Sequence, residues 1–145
     1  MHASNRRALA EALNALIVEV HRNAGTSTVR VLEEAALTAA QFKTLASLGS
    51  SGTSVSGVAS RLDVTQPTAS RLVTALAAKG LVSASVSARD RRARELALTP
   101  AGRALLRRLN AARVADLRVY VDGLSPDQAD RLADALASLA HEAAA

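Results

Sequence analysis

Apolar residues recur every three or four positions along most of the chain, which is the spacing of one face of an α-helix. The first such stretch, residues 4–23, has five apolar positions on one face: Leu9, Leu13, Leu16, Ile17 and Val20. Similar spacing, together with capping signals, predicts further helices over residues 29–36, 39–48, 55–62, 66–79 and 101–121, and a last helix after residue 125.

Polar residues and glycine mark where these helices begin and end. Thr38–Gln41 and Ser125–Gln128 have the capping-box pattern, in which the hydroxyl accepts from a free backbone N–H and the glutamine reaches back. Ser54 and Thr65 are predicted N-caps, and Gly80 is a predicted helix end. The helices between residues 38 and 80 are therefore joined by short turns.

Two extended segments, residues 81–86 and 93–98, flank a polar tip at residues 87–92, which predicts a β-hairpin. The order helix, three-residue turn, helix, hairpin is that of a winged helix-turn-helix, whose second helix enters the major groove of DNA. The predicted fold is mainly α with a small β-hairpin wing, a winged helix-turn-helix on a helical dimerisation body.

Composition excludes several classes of protein. The chain has 145 residues, enough for one domain, and no cysteine, so disulfide-stapled folds, thiol catalysis and cysteine-ligated zinc are excluded. Its aromatic side chains are Phe42 and Tyr120, too few to stack the bases of single-stranded nucleic acid. No apolar stretch approaches the length of a membrane span, and the N-terminal segment has the pattern of an amphipathic helix, so we expect a cytoplasmic protein.

The net charge of +5 is unevenly distributed. Between Arg61 and Arg113 there are 11 basic and 3 acidic residues, a net charge of +8, whereas the rest of the chain carries 7 basic and 10 acidic residues. A basic middle between acidic ends suggests a polyanion-binding surface. On charge alone, a solvated arginine-rich face explains the pattern equally well.

The second helix of the motif divides into an inward and an outward face. Its predicted inward residues are Ala69, Leu72, Val73 and Leu76. The outward positions near its start are hydrogen-bonding types that reach base edges or phosphates, and the helix N-terminus itself attracts phosphate. With the caps and the hairpin tip, the predicted DNA-binding residues are Ser54, Thr65, Gln66, Thr68, Ser70, Arg71, Arg89, Asp90, Arg91 and Arg92.

Several of these residues have an alternative role. Ser54 and Thr65 are more strongly indicated as caps, and Arg71 could pair with Asp63 or with solvent instead of DNA. Asp90 is expected to orient a neighbouring arginine or to form the hairpin turn. We favour Arg92 as the DNA contact of the tip.

Short segments in matching order resemble the MarR family (multiple antibiotic resistance regulators) of bacterial transcription factors. They are LTAAQFKTL at residues 37–45, VASRL at 58–62, TQPTASRLV at 65–73, KGLV at 79–82, DRR at 90–92 and LTPAG at 98–102. The chain departs from the family where Ala84 replaces a common arginine and where residues 85–87 replace a proline-containing wing sequence.

The resemblance implies a homodimer in which residues 1–36 and 100–145 form the dimerisation helices and residues 37–99 form the DNA-binding lobe. It implies recognition helices in successive major grooves of a palindrome and the role of a ligand-responsive repressor. Some family members bind small aromatic acids in a cleft, for which His21, Phe42 and Tyr120 are candidate lining residues here. Phe42 is also interpreted, more simply, as a core residue.

No set of nucleophile, base and acid can be assembled from the sequence, and its three histidines show no metal-site spacing, so we expect neither an enzyme nor a metal or cofactor site. A sequence-specific regulator of double-stranded DNA is the leading hypothesis. The alternatives are an architectural or weakly specific DNA-binding protein and an interaction module that has lost DNA binding. The polar outward face of the second helix argues against the last.

Overall fold

The computed structural model describes residues 3–49, 52–91 and 94–144. Within them the order of elements is α1 (Ala3–Asn23), α2 (Ser27–Glu34), α3 (Ala39–Ser47), α4 (Val55–Leu62), α5 (Gln66–Ala78), β1 (Val82–Val86), β2 (Arg94–Leu98), α6 (Pro100–Asp122) and α7 (Pro126–Ala144). Each predicted helix and strand is present, so the mainly helical fold with a hairpin wing is confirmed.

The bounds predicted for α2 were wrong by two residues at both ends. The helix begins at Ser27 because the carboxylate of Asp116 accepts a hydrogen bond from the Ser27 N–H at 2.7 Å, which satisfies a free donor of the first turn. It ends before residue 36 because Ala36 has a left-handed φ of 50°. Neither cause can be read from the apolar spacing.

The predicted caps are confirmed at the atomic level. The Gln41 N–H donates to Thr38 Oγ1 at 3.1 Å, and the Thr38 N–H donates to Gln41 Oε1 at 3.0 Å, which completes the capping box of α3. The corresponding distances at Ser125 and Gln128 are 3.3 and 2.9 Å. These bonds satisfy backbone donors that the helix itself leaves unpaired.

The wing is the antiparallel hairpin β1–β2, in which Val82 pairs with Leu98 and Val86 with Arg94. Thr53, which lies just before α4, also pairs with this hairpin. Its N–H donates to the Leu96 carbonyl at 3.1 Å, and the Leu96 N–H donates back at 2.6 Å. This bridge ties the wing to the start of the helix-turn-helix.

The chain divides into two compact units. The first contains the chain up to Ser27 and from Arg113 onward, and the second is Thr28–Ala112. In the described chain, every buried apolar residue belongs to the second unit, including the fully buried Leu45, Leu76 and Leu109. The first unit is therefore helical but has no buried apolar core of its own among the described residues of a single chain.

Gly102 marks a close approach between α6 and the residue before β1. A Cβ at this position would lie 2.1 Å from the carbonyl oxygen of Leu81. The Thr99 N–H donates to that oxygen at 3.1 Å, and Thr99 Oγ1 caps the helix by accepting from the Gly102 N–H at 3.0 Å. Only glycine fits without displacing the main chain, which explains the glycine of the LTPAG segment.

Candidate nucleic-acid interface

The turn between α4 and α5 is short because one of its residues adopts a left-handed conformation. Asp63 has a φ of 53°, which aspartate tolerates better than bulky residues do. The Val64 N–H then donates to the Ala59 carbonyl at 3.0 Å, and Thr65 caps α5. The two helices therefore form the predicted helix-turn-helix, with α5 in the place of the recognition helix.

The two faces of α5 follow the prediction at most positions. Ala69, Val73 and Leu76 are buried and Leu72 is half-buried, so the inward face is confirmed. The outward side chains left exposed in the first turns are Gln66, Ser70 and Arg71.

Thr68 differs from its predicted outward position because it takes part in the helix cap. Its side chain is half-buried, and its Oγ1 accepts a hydrogen bond from Thr65 Oγ1 at 2.9 Å. Nη2 of Arg71 also donates to Thr68 Oγ1, at 3.5 Å. Thr68 thus links the cap to Arg71, and its hydroxyl is engaged within the protein.

Ser54 and Thr65 act as caps in the structure. Ser54 Oγ accepts from the Gly57 N–H at 3.1 Å, and Thr65 Oγ1 accepts from the Thr68 N–H at 3.4 Å. Both residues have extended backbone conformations, as N-caps require. Their capping role is therefore confirmed, and a DNA contact from either remains a prediction.

One contact of the outward face was missed by sequence reasoning. Gln66 Nε2 donates a hydrogen bond to Ser56 Oγ at 2.6 Å, which joins the start of α5 to the first turn of α4. The two residues are ten positions apart in consecutive helices, and no short spacing in the sequence signals the pair. Ser56 thereby becomes part of the candidate interface.

The tip of the wing is braced by Ser87, a buried residue that was not among the predicted site residues. Its Oγ accepts from the N–H groups of Arg89 at 3.2 Å and Asp90 at 3.4 Å, and donates to Glu95 Oε1 at 3.2 Å. These three bonds use the full capacity of a hydroxyl group. The side chains of Arg89, Asp90 and Arg91 are exposed, whereas Arg92 lies outside the described residues.

Part of the basic middle of the chain has a structural role. Arg61 donates to a carbonyl at the end of α3, and Lys79 Nζ donates to a carbonyl just after α2 at 2.9 Å. Arg103 Nη1 donates to the last carbonyl of β2 at 2.8 Å, and Arg108 pairs with Glu34. These cations still contribute to the surface potential. The net charge of residues 61–113 nevertheless overstates the number of cations that are free to bind a polyanion.

With this geometry in place, comparison with known proteins identifies the lobe. Residues 36–93 match the model of the MarR family. Residues 36–93 of the chain thus form a MarR-family winged-helix lobe. Proteins of the MarR family are transcription regulators and not enzymes, and the sequence resemblance to this family is confirmed. No curated protein sequence matches the chain.

Solved structures of MarR-family proteins share the fold over almost the whole chain. YusO from Bacillus subtilis is 25% identical, with a TM-score of 0.69 and coverage of 97% of this chain and 99% of that chain. Wild-type MarR from E. coli is 25% identical, with a TM-score of 0.68 and coverage of 88% and 96%. MepR from S. aureus, in a complex with DNA, is 22% identical, with a TM-score of 0.66 and coverage of 97% and 98%. At this level of identity, MepR and this chain are similar in fold.

The candidate effector residues lie on different units of the chain. His21 is exposed on α1, where its Nδ1 lies 2.9 Å from the Ile17 carbonyl oxygen, and Tyr120 is half-buried on α6. Phe42 is half-buried and packs against the core of the second unit, as its simpler interpretation predicts. The second unit has a groove of about 220 Å³ with none of these three in its lining, which is Ala39, Ala40, Lys43, Leu62, Val64 and Leu72.

The described residues contain neither a candidate metal site nor a candidate membrane span. No group of three or more metal-ligating side chains in residues 3–49, 52–91 and 94–144 could hold a metal ion. None of the helices in that part of the chain combines the length and the apolarity of a membrane span.

Proposed function

We propose that this MarR-family regulator is a homodimer that binds a palindromic operator in double-stranded DNA through α5 and the wing of each subunit. The observation that carries the proposal is the first turns of α5, where Gln66, Ser70 and Arg71 are exposed on a helix held in place by buried residues on its other face. In this proposal residues 37–99 bind DNA, and residues 1–36 and 100–145 form the dimer.

The major groove of B-DNA accommodates one α-helix, and its base edges differ for every base pair. Polar side chains at the start of a helix can therefore read sequence, while the free N–H groups there attract a phosphate. The complex of the structurally similar MepR with DNA supports this use of the fold.

The wing is proposed to add affinity more than specificity. A two-stranded hairpin tip that exposes Arg89 and Arg91 reaches phosphates and the narrow minor groove, where the pattern of hydrogen-bonding groups is degenerate. Arg92 is included on the sequence prediction, and Asp90 is proposed to orient one of these arginines.

The dimer proposal rests on the first unit. It has no buried apolar residue among those described, and α1 exposes Leu9 (55%), Leu13 (51%) and Ile17 (52%). Exposed apolar side chains also occur on the later helices: Val114, Leu117, Val119, Val121, Leu136 and Leu139. Apolar surface of this extent marks an interaction site, and a second copy of the same helices would cover it.

Sedimentation at micromolar concentration tests the dimer. We expect the wild type to be a dimer and Leu13→Glu to shift it toward monomer, because the charge would be placed in the apolar face. Asn14→Glu is the matched control on the next position of α1 and should remain dimeric. A wild-type chain that sediments only as monomer would refute the proposal.

Selection of genomic fragments by the purified protein, followed by footprinting, tests the DNA proposal. We expect a few strongly bound sites with two protected half-sites about one helical turn apart. Similar affinity for all fragments would instead support the second candidate, an architectural or weakly specific DNA-binding protein. The observation that favours this candidate is the basic wing, because its arginines can bind phosphates in DNA of any sequence.

The wing is tested by titration at several salt concentrations. Arg89→Ala or Arg91→Ala should reduce the slope of log K against log salt by about 0.9 for each phosphate group that the variant no longer neutralises. Arg6→Ala, which removes a cation of α1, is the control and should leave the slope unchanged. Equal slopes for all variants would exclude the described part of the tip as a phosphate-binding element.

We further propose that the regulator represses its target and responds to a small-molecule effector, as the family resemblance implies. Because the proposed partner is chromosomal DNA, we expect the protein in the cytoplasm. A reporter gene behind a footprinted promoter tests repression, since deletion of the regulator should raise expression. Lower expression after deletion would identify an activator.

A further inference from the structure

We propose that Gln66 reads an adenine in each operator half-site, and that Ser56 is a positioning residue that holds the Gln66 amide for this contact. This inference rests on the proposed function, because it requires α5 to enter the major groove. It adds to that function a particular base and a residue of α4 that does not itself need to touch DNA.

The structural observation is the bond between the two side chains. Gln66 is the first residue of α5, its side chain is exposed, and its Nε2 donates to Ser56 Oγ at 2.6 Å. A glutamine amide is planar and has two N–H donors and one carbonyl acceptor. The bond to Ser56 uses one N–H, and Oε1 accepts no hydrogen bond from the residues that the structure describes.

The unused groups of the amide match the major-groove edge of adenine. Adenine presents an acceptor, N7, beside a donor, the N6 amino group, and glutamine pairs with both at once. Guanine presents two acceptors, N7 and O6, so the glutamine carbonyl would face another oxygen. Cytosine and thymine each offer one hydrogen-bonding group in the groove. An adenine is therefore the base that satisfies both unused groups.

Ser56 contributes by reducing the freedom of the Gln66 side chain before DNA binds. A free glutamine loses substantial rotamer entropy when it is fixed at an interface. The bond to Ser56 restricts the amide in the unbound protein, so less of this cost falls on complex formation. Ser56→Ala should therefore weaken the contact with adenine without removing it.

The other polar residues of this turn do not offer the same pairing. Thr68 is engaged by Thr65 and Arg71 within the cap, and a serine hydroxyl such as that of Ser70 is compatible with either donors or acceptors on a base. Gln66 is the one amide side chain in α5. A preference for adenine should thus depend on Gln66.

The experiment is selection from randomised duplexes with the purified full chain, followed by affinity measurement on the selected site and its single-base variants. The wild type should select an adenine at one position of each half-site, and replacing that base should weaken binding about tenfold. Gln66→Ala should equalise the four bases there. Gln66→Glu should shift the preference to cytosine, because a carboxylate accepts from the cytosine amino group.

Ser56 is tested at the same position of the site. Ser56→Ala should reduce the preference for adenine there and leave the preferences at other positions unchanged, whereas Ser56→Thr, which keeps the hydroxyl, should restore it. Ser60→Ala removes another exposed hydroxyl from α4 and is the matched control. A purely structural role of Ser56 would lower affinity for all sequences by the same factor.

The outcomes separate the inference from the function on which it rests. If the wild type selects a defined site but Gln66→Ala and Gln66→Glu keep its base frequencies at every position, adenine reading by Gln66 is overturned. If Ser56→Ala behaves like Ser60→Ala, the positioning role is overturned. If the wild type selects no site, sequence-specific regulation itself is refuted and the inference falls with it.

Discussion

Replacement of Gly102 by alanine would place a methyl group against the main chain where α6 meets the residue before β1. The added Cβ would lie 2.1 Å from the Leu81 carbonyl oxygen and 3.0 Å from its carbonyl carbon. That oxygen accepts from the Thr99 N–H at 3.1 Å. The carbonyl therefore cannot turn away without breaking a hydrogen bond that helps to position the start of α6.

The size of the effect follows from three contributions. Overpacking of a buried site costs about 1–3 kcal/mol, and a contact this short with main-chain atoms lies near the upper end. Loss or distortion of the Thr99 hydrogen bond costs about 1 kcal/mol more. Alanine in place of glycine within a helix recovers about 0.5–1 kcal/mol. The free energy of unfolding should thus fall by about 2–3 kcal/mol.

Urea unfolding at a fixed chain concentration, monitored by circular dichroism, measures this change. Gly57→Ala is the matched control, since its Cβ would lie 2.0 Å from Thr53 Oγ1, a side-chain atom that moves by rotation about χ1. We expect the control to change the stability by less than about 1 kcal/mol. A Gly102→Ala variant as stable as the wild type, or less affected than the control, would refute the reasoning.

Three further predictions concern single hydrogen-bonding side chains. Thr38→Ala should lower the free energy of unfolding by about 1 kcal/mol in urea, because the capping box of α3 loses its hydroxyl; an unchanged midpoint would contradict this. Asp116→Ala should cost about 1–3 kcal/mol, since the Ser27 N–H loses its acceptor, and undiminished stability would argue against that role. Ser87→Ala should weaken DNA binding and lower the free energy of unfolding by about 1–3 kcal/mol, whereas Ser85→Ala, its control on β1, should bind normally; equal affinities would mean that Ser87 does not position the tip.

The sequence alone determined the type, order and approximate bounds of the helices and strands. The bonds that begin helices at Thr38, Ser54, Thr65 and Ser125 join residues three positions apart, so their spacing is visible in the chain. The inward face of α5 follows from apolar periodicity, and the outward exposure of Gln66 follows from the same pattern. Such local signals depend only on backbone geometry that every helix shares.

Tertiary structure decided the contacts between residues far apart in the chain. Asp116 sets the start of α2 from 89 positions away, and the bridge from Thr53 to Leu96 attaches the wing to α4. Packing of α4 against α5 also joined Ser56 to Gln66 across the helix-turn-helix. These pairs form because close packing brings together groups whose hydrogen-bonding needs are not met locally, and no periodicity or spacing in the sequence encodes which groups will meet.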